Sequence, residues 1–121
     1  MTNSNAKGIL IPIGGNEDKG DGKNEKYTLE FIANGILQHI VREAGGKDAF
    51  IVVIPTASSI PDEVIENYVD AFGKLGCTNV HVMDIRKRAQ SELPENIAMM
   101  KKANAVLFSG GDQSKITSKI G

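Results

Sequence analysis

One cysteine, Cys77, and two histidines, His39 and His81, are all that the 121 residues hold of those two side chains. A single thiol excludes an intrachain disulfide framework and a cysteine-based metal site. Charge of one sign is also missing: 14 Lys and Arg stand against 15 Asp and Glu. No strong field therefore draws the chain to nucleic acid or to an anionic membrane. No apolar run nears the roughly 20 residues of a membrane span, and the start MTNSNAK is too polar for a signal peptide. The expected compartment is a reducing cytoplasm. Neither G-x-G-x-x-G nor G-x-x-x-x-G-K-[ST] occurs, so the sequence carries no phosphate-binding fingerprint and no cofactor is expected.

What is there alternates in kind. Gly8–Ile13 (GILIPI) is an apolar run ending at Gly14-Gly15, the pattern of a buried strand stopped by a turn. From Tyr27 to Ala44, Leu29, Ile32, Ala33, Ile36, Leu37, Ile40 and Val41 fall at steps that line one helix face. Gly45-Gly46 ends that helix. Phe50–Ile54 is continuously apolar, as strands covered on both faces are. Pro61 with Asp62 and Glu63 marks a helix start; Val64, Ile65, Tyr68, Val69, Phe72 and Leu75 form its buried face, and Gly76 caps it. Asn79–Met83 reads as a third strand, Pro94 to Ala103 as a helix, and Ala105–Phe108 as a fourth strand leading through Gly110-Gly111-Asp112 into a last short helix. Such alternation implies a single α/β domain over 1–121, a parallel sheet with helices on its faces. The polar stretch Asn16–Lys26 is the one long loop.

Ligands of open parallel sheets bind beyond the C-terminal strand ends, which places candidate chemistry in Gly14–Lys19, Pro55–Ser59, Asp84–Arg88 and Ser109–Gln113. Gly110-Gly111-Asp112-Gln113 has two readings. Its glycines and free helix-start amides suit an oxyanion hole; equally, it is a tight turn with Asp112 as helix cap. Ser58 and Ser59 lack a neighbouring base and a strained G-x-S-x-G turn, and Ser59 is explained by capping the Pro61 helix. His39 on the first helix and His81 within a strand read as structural or surface residues, and Cys77 as a small buried side chain. Asp84, Arg86 and Arg88 fit carboxylate binding and solvated loop charges equally. No nucleophile, base and orienter come together.

Five segments in register resemble the cyanophycinase branch of the serine peptidases, which also includes aspartyl dipeptidase. They are Ile13–Lys19 (IGGNEDK), Ile54–Ser59 (IPTASS), Tyr68–Gly76 (YVDAFGKLG), Ile85–Ala89 (IRKRA) and Phe108–Gln113 (FSGGDQ). Asn16 stands where that motif usually has a small residue. The resemblance implies a flavodoxin-like, class I glutamine-amidotransferase-like three-layer parallel sheet, truncated here after about four strands. It implies hydrolysis of cyanophycin, a poly-aspartate with arginine side groups, to β-aspartyl-arginine dipeptides. It matches Gly111 and Asp112 to the oxyanion region and Gln113 to a glutamine lining the substrate pocket. The family's serine, acid and histidine lie beyond Gly121, so this is expected to be the N-terminal half of a longer domain, inactive alone. An exposed half-sheet is expected to self-associate or to meet a complementary C-terminal half. The alternative is a non-catalytic flavodoxin-like domain that binds a small molecule or another protein; a bound flavin would show as yellow colour.

Overall fold

The computed structural model describes residues 8–13, 32, 35–111 and 113–120. Within them three parallel strands form one sheet: β1 (Ile51–Ile54), β2 (Val80–Val82) and β3 (Ala105–Phe108), in the order β2-β1-β3. The registers are Ile51 opposite Val80 and Ile51 opposite Ala105. β1 carries only large aliphatic side chains because neither of its faces meets water, and all four of its residues are buried. Ile51 and Val53 face one cluster with Leu37, Ile40, Val41, Tyr68, Ala71 and Phe72. Val52 and Ile54 face the other, with Met83 and Ile85.

The first cluster is supplied by α1 (Ile36–Glu43) and α2 (Pro61–Lys74). α2 starts at Pro61, whose missing N–H costs nothing at a helix start, with Asp62 and Glu63 in the first turn. It stops at Gly76, whose φ of 80° lets the chain reverse so that the Cys77 N–H returns to the Phe72 carbonyl at 3.0 Å. α1 ends the same way, with the Gly46 N–H on the Val41 carbonyl at 2.8 Å. The opposite face of the sheet is covered by a 3-10 turn (Arg88–Glu92), α3 (Pro94–Lys102) and α4 (Gln113–Lys119), through Met99, Ala103 and Ile120. The result is a three-layer α/β arrangement, the expected class.

Several expectations need correction. Gly8–Ile13 is extended chain with no ladder hydrogen bonds, so the described residues give three of the four anticipated strands. The segment borders the groove along β3 without pairing to it. Ile11 and Ile13 still pack on the first cluster, while Leu10 is 96% exposed. Ser59 does not cap α2. The cap position is Ile60, with no side-chain cap, and the Ser58 Oγ accepts the Ile60 N–H at 3.0 Å. Val69, expected on the buried face of α2, is 42% exposed. The expected Asn16–Lys26 loop, the start of the first helix at Tyr27 and Asp112 lie outside the described residues. No described helix is long and apolar enough to cross a membrane.

Candidate functional site

Three loops leave the C-terminal rim of the sheet: Pro55–Ser59 after β1, Asp84–Arg88 after β2, and Ser109–Gly111 after β3. Two buried polar side chains sit among them, Thr56 and Ser109. The Thr56 Oγ1 donates to the Ile85 carbonyl at 2.9 Å, tying the first loop to the second. Ser109 sends its backbone N–H to the Ile54 carbonyl at 3.2 Å, but its Oγ has no hydrogen-bond partner among the described residues.

The third loop is held against the first by contact. Gly111 has φ of 144°, a region side chains with a Cβ avoid, and a Cβ there would collide with the Ala57 carbonyl. Gly110 beside it meets nothing within 4 Å. The two glycines thus do different things: Gly111 lets two backbones touch, and Gly110 leaves open space. Both are exposed at the rim, where a ligand could reach them.

Other candidates are placed differently. Arg86 Nε lies 2.9 Å from Asp84 Oδ1 and its terminal nitrogen 3.3 Å from Asp62 Oδ1, so its guanidinium already has carboxylates. Asp84 raises its pKa, chiefly through that hydrogen bond. The Arg86 and Lys87 amides are both accepted by Gln90 Oε1, at 2.7 and 2.9 Å, which fixes the loop they belong to. An Arg88 terminal nitrogen reaches the Ser118 carbonyl at 3.4 Å. His81 stacks on Phe50 with ring centroids 4.0 Å apart, and its Nε2 is 2.7 Å from Asn79 Oδ1, at the opposite end of the sheet from the rim loops. His39 is exposed on α1. Cys77 is buried with its Sγ 3.8 Å from the Ala49 carbonyl, and burial pushes the thiol up. Among the described residues no group of three or more His, Cys, Asp or Glu could hold a metal ion.

The rim therefore gathers Thr56, Ala57, Ser58, Ser109, Gly110 and Gly111. Gln113 opens α4 behind them, while Asp112 and the Gln113 side chain lie outside the described residues. Sequence reasoning found the glycines and placed Thr56 and Ser109 in candidate loops, but gave neither a partner. A hydroxyl at the end of an apolar run was the available signal, but nothing in the run says which carbonyl it meets.

A parallel three-layer α/β unit with glycine-bearing loops collected at its strand ends defines the class: a sheet of the kind that binds ligands at that rim. The family model for peptidase family S51 matches residues 22–120, and the chain belongs to that family. Cyanophycinases are similar to it. That of Geminocystis herdmanii is 36% identical over 88% of this chain and 35% of its own length. That of Thermosynechococcus vestitus is 34% identical over 97% and 33%, and that of Nostoc sp. 32% identical over 91% and 33%. The chain spans about a third of the length of these relatives.

Proposed function

We propose that this chain supplies the oxyanion-stabilising and substrate-positioning part of a serine-type hydrolase that cleaves cyanophycin or a related β-aspartyl peptide. The nucleophile, acid and histidine come from sequence outside it. Family membership supports hydrolysis, and the relatives' names support the substrate. The single observation that carries the local assignment is the seating of Gly111 against Ala57, which brings the loop after β3 to the middle of the rim.

The chemistry follows from position. Attack on an amide carbonyl turns its oxygen into an anion, and backbone N–H groups aimed at that oxygen stabilise the transition state more than the substrate. The Gly111 and Asp112 amides fill that role, and the Gln113 amide group orients the peptide. The chain alone lacks the other half of the reaction. A serine needs a base within hydrogen-bond reach; His39 is out on α1, and His81 is engaged with Phe50 and Asn79.

The test uses two proteins. The chain as it stands, incubated with cyanophycin, should release no β-aspartyl-arginine above a blank. The same chain extended by the remaining sequence of the Thermosynechococcus vestitus relative should release it. In that extended protein Gln113→Ala should lower kcat/KM about three- to tenfold, the loss expected for one side-chain hydrogen bond. A folded extended protein that releases nothing would sink the hydrolase assignment. Activity of the short chain that disappears in Ser58→Ala or Ser59→Ala would show a nucleophile where none is assigned.

A further inference from the structure

We infer that Ser109 is a positioning residue: its hydroxyl latches a backbone carbonyl of a further β-strand that seats along the outer side of β3. This rests on the reading above that the rest of an S51 domain completes the sheet, and it names the residue that locks that completion in place.

Three observations meet at Ser109. Its side chain is 5% exposed, and its Oγ is unpaired among the described residues. Buried hydroxyls without a partner are uncommon, since desolvation is not compensated. The other buried polar side chain, Thr56, shows what such a group does in this sheet: from the loop after β1 it bonds the Ile85 carbonyl in the loop after the neighbouring strand β2. Ser109 stands in the loop after β3, one residue past Phe108 where Thr56 is two past Ile54, and so on the other face of the sheet. The second side of β3 is unpaired among the described residues.

That side is a groove of about 570 Å³ that follows β3 from Asn104 to Gly110, with the extended Gly8–Ile13 segment as part of its wall. Phe108 and Gly110, on either side of Ser109, both line it. Side chains alternate along a strand, so Ser109 shares the face of Ala105 and Leu107, which also line the groove. A turn of Ser109 about χ1 carries the hydroxyl between staggered positions, and the open space at Gly110 leaves room for an arriving chain. The occupant is a strand rather than a small ligand. The groove runs the whole length of β3, its lining is mostly apolar, and the outer edge of β3 is unpaired among the described residues. The relatives show a source for such a strand, since this chain spans 33–35% of their length.

The test compares Ser109→Ala and Ser109→Thr with wild type, in the chain itself and in the chain extended by the remaining Thermosynechococcus vestitus sequence. In the short chain the hydroxyl has no partner among the described residues, so Ser109→Ala should leave the urea midpoint unchanged or raise it. In the extended chain the same variant should lower the midpoint and raise amide exchange along β3, and Ser109→Thr should restore both. A side chain that merely fills space would move both proteins in the same direction. A lower midpoint for Ser109→Ala in the short chain overturns the inference, as does a rise in both proteins. Loss of a dimer in the short Ser109→Ala variant, read by light scattering, also overturns it, because a second copy would then be the occupant. Turnover by the wild-type extended protein reads the hydrolase assignment separately and does not decide the role of Ser109.

Discussion

A carbon added at Gly111 runs into the Ala57 carbonyl, while one added at Gly110 meets nothing within 4 Å. Gly111→Val should therefore cost more than about 2 kcal/mol of stability, through collision and a disfavoured φ together. Gly110→Ala should stay within about 0.5 kcal/mol, as surface changes away from special features do. Urea titration of the two variants separates them, and equal losses would place the close approach at the wrong glycine. One consequence is practical. Gly111 variants report folding before chemistry, so Gln113 is the better probe of catalysis. Cys77 gives a second residue-level test. Burial raises its pKa, so above about pH 8.5, where an unfolded thiol ionises, the folded chain holds a proton that the unfolded chain has lost. Stability conferred on the neutral thiol is thus lost as pH rises. Cys77→Ala should flatten the fall in urea midpoint between pH 8 and 10, and an unchanged slope would put the titration elsewhere.

At the scale of elements, the rim is held by two different joints: a hydrogen bond from Thr56 to Ile85 and a backbone contact from Gly111 to Ala57. Thr56→Val keeps the shape and removes the donor, leaving a buried carbonyl unpaired. It should cost about 1–3 kcal/mol, and Thr56→Ser should recover most of that. Hydrogen exchange at Ile85 to Lys87 should quicken in the valine variant and not in the serine one; no change would mean that Gln90 alone holds that loop. The elements themselves were legible to different degrees. β1 was plain because Ile-Val-Val-Ile has no polar side to present, and α2 because Pro61 and Gly76 mark both ends. Gly8–Ile13 has the same apolar signature and forms no strand. An apolar run reports that surface will be covered, and it does not report which strand edge is free to receive it. The helix stripes have the same limit: Val69 falls at the right spacing, yet it stays 42% exposed. The glycine loop of the site was readable because its needs are local. Thr56 and Ser109 were not, because their meaning depends on carbonyls far away in sequence.

For the whole molecule, the uneven covering of the sheet matters most. β1 is buried throughout, whereas Phe108 on β3 is 46% exposed and borders apolar grooves on both sides of the sheet. Joined to the exposed Ile97 and Met100, this forms a patch that isolated soluble domains seldom leave open. The short chain should accordingly self-associate at micromolar concentration, with Phe108→Ser moving it toward monomer. Light scattering across a dilution series measures this, and a clean monomer throughout would count against an incomplete sheet.

The order β2-β1-β3 also has a bearing on how the chain finds its shape. The central strand is made first and its partners arrive one crossover at a time: Ile51 meets Val80, then Ala105. The second closure spans nearly twice the chain of the first, and each doubling of loop length costs about 0.6 kcal/mol of entropy. Folding should thus begin with the β1–α2–β2 unit, with β3 joining late. Val82→Ala should then mainly slow refolding, and Leu107→Ala mainly speed unfolding, two limbs of one chevron plot. During synthesis, β1 would wait with one side unpaired until residue 108 had cleared the ribosome, an interval in which a chaperone or a neighbouring nascent chain has access to its most apolar strand.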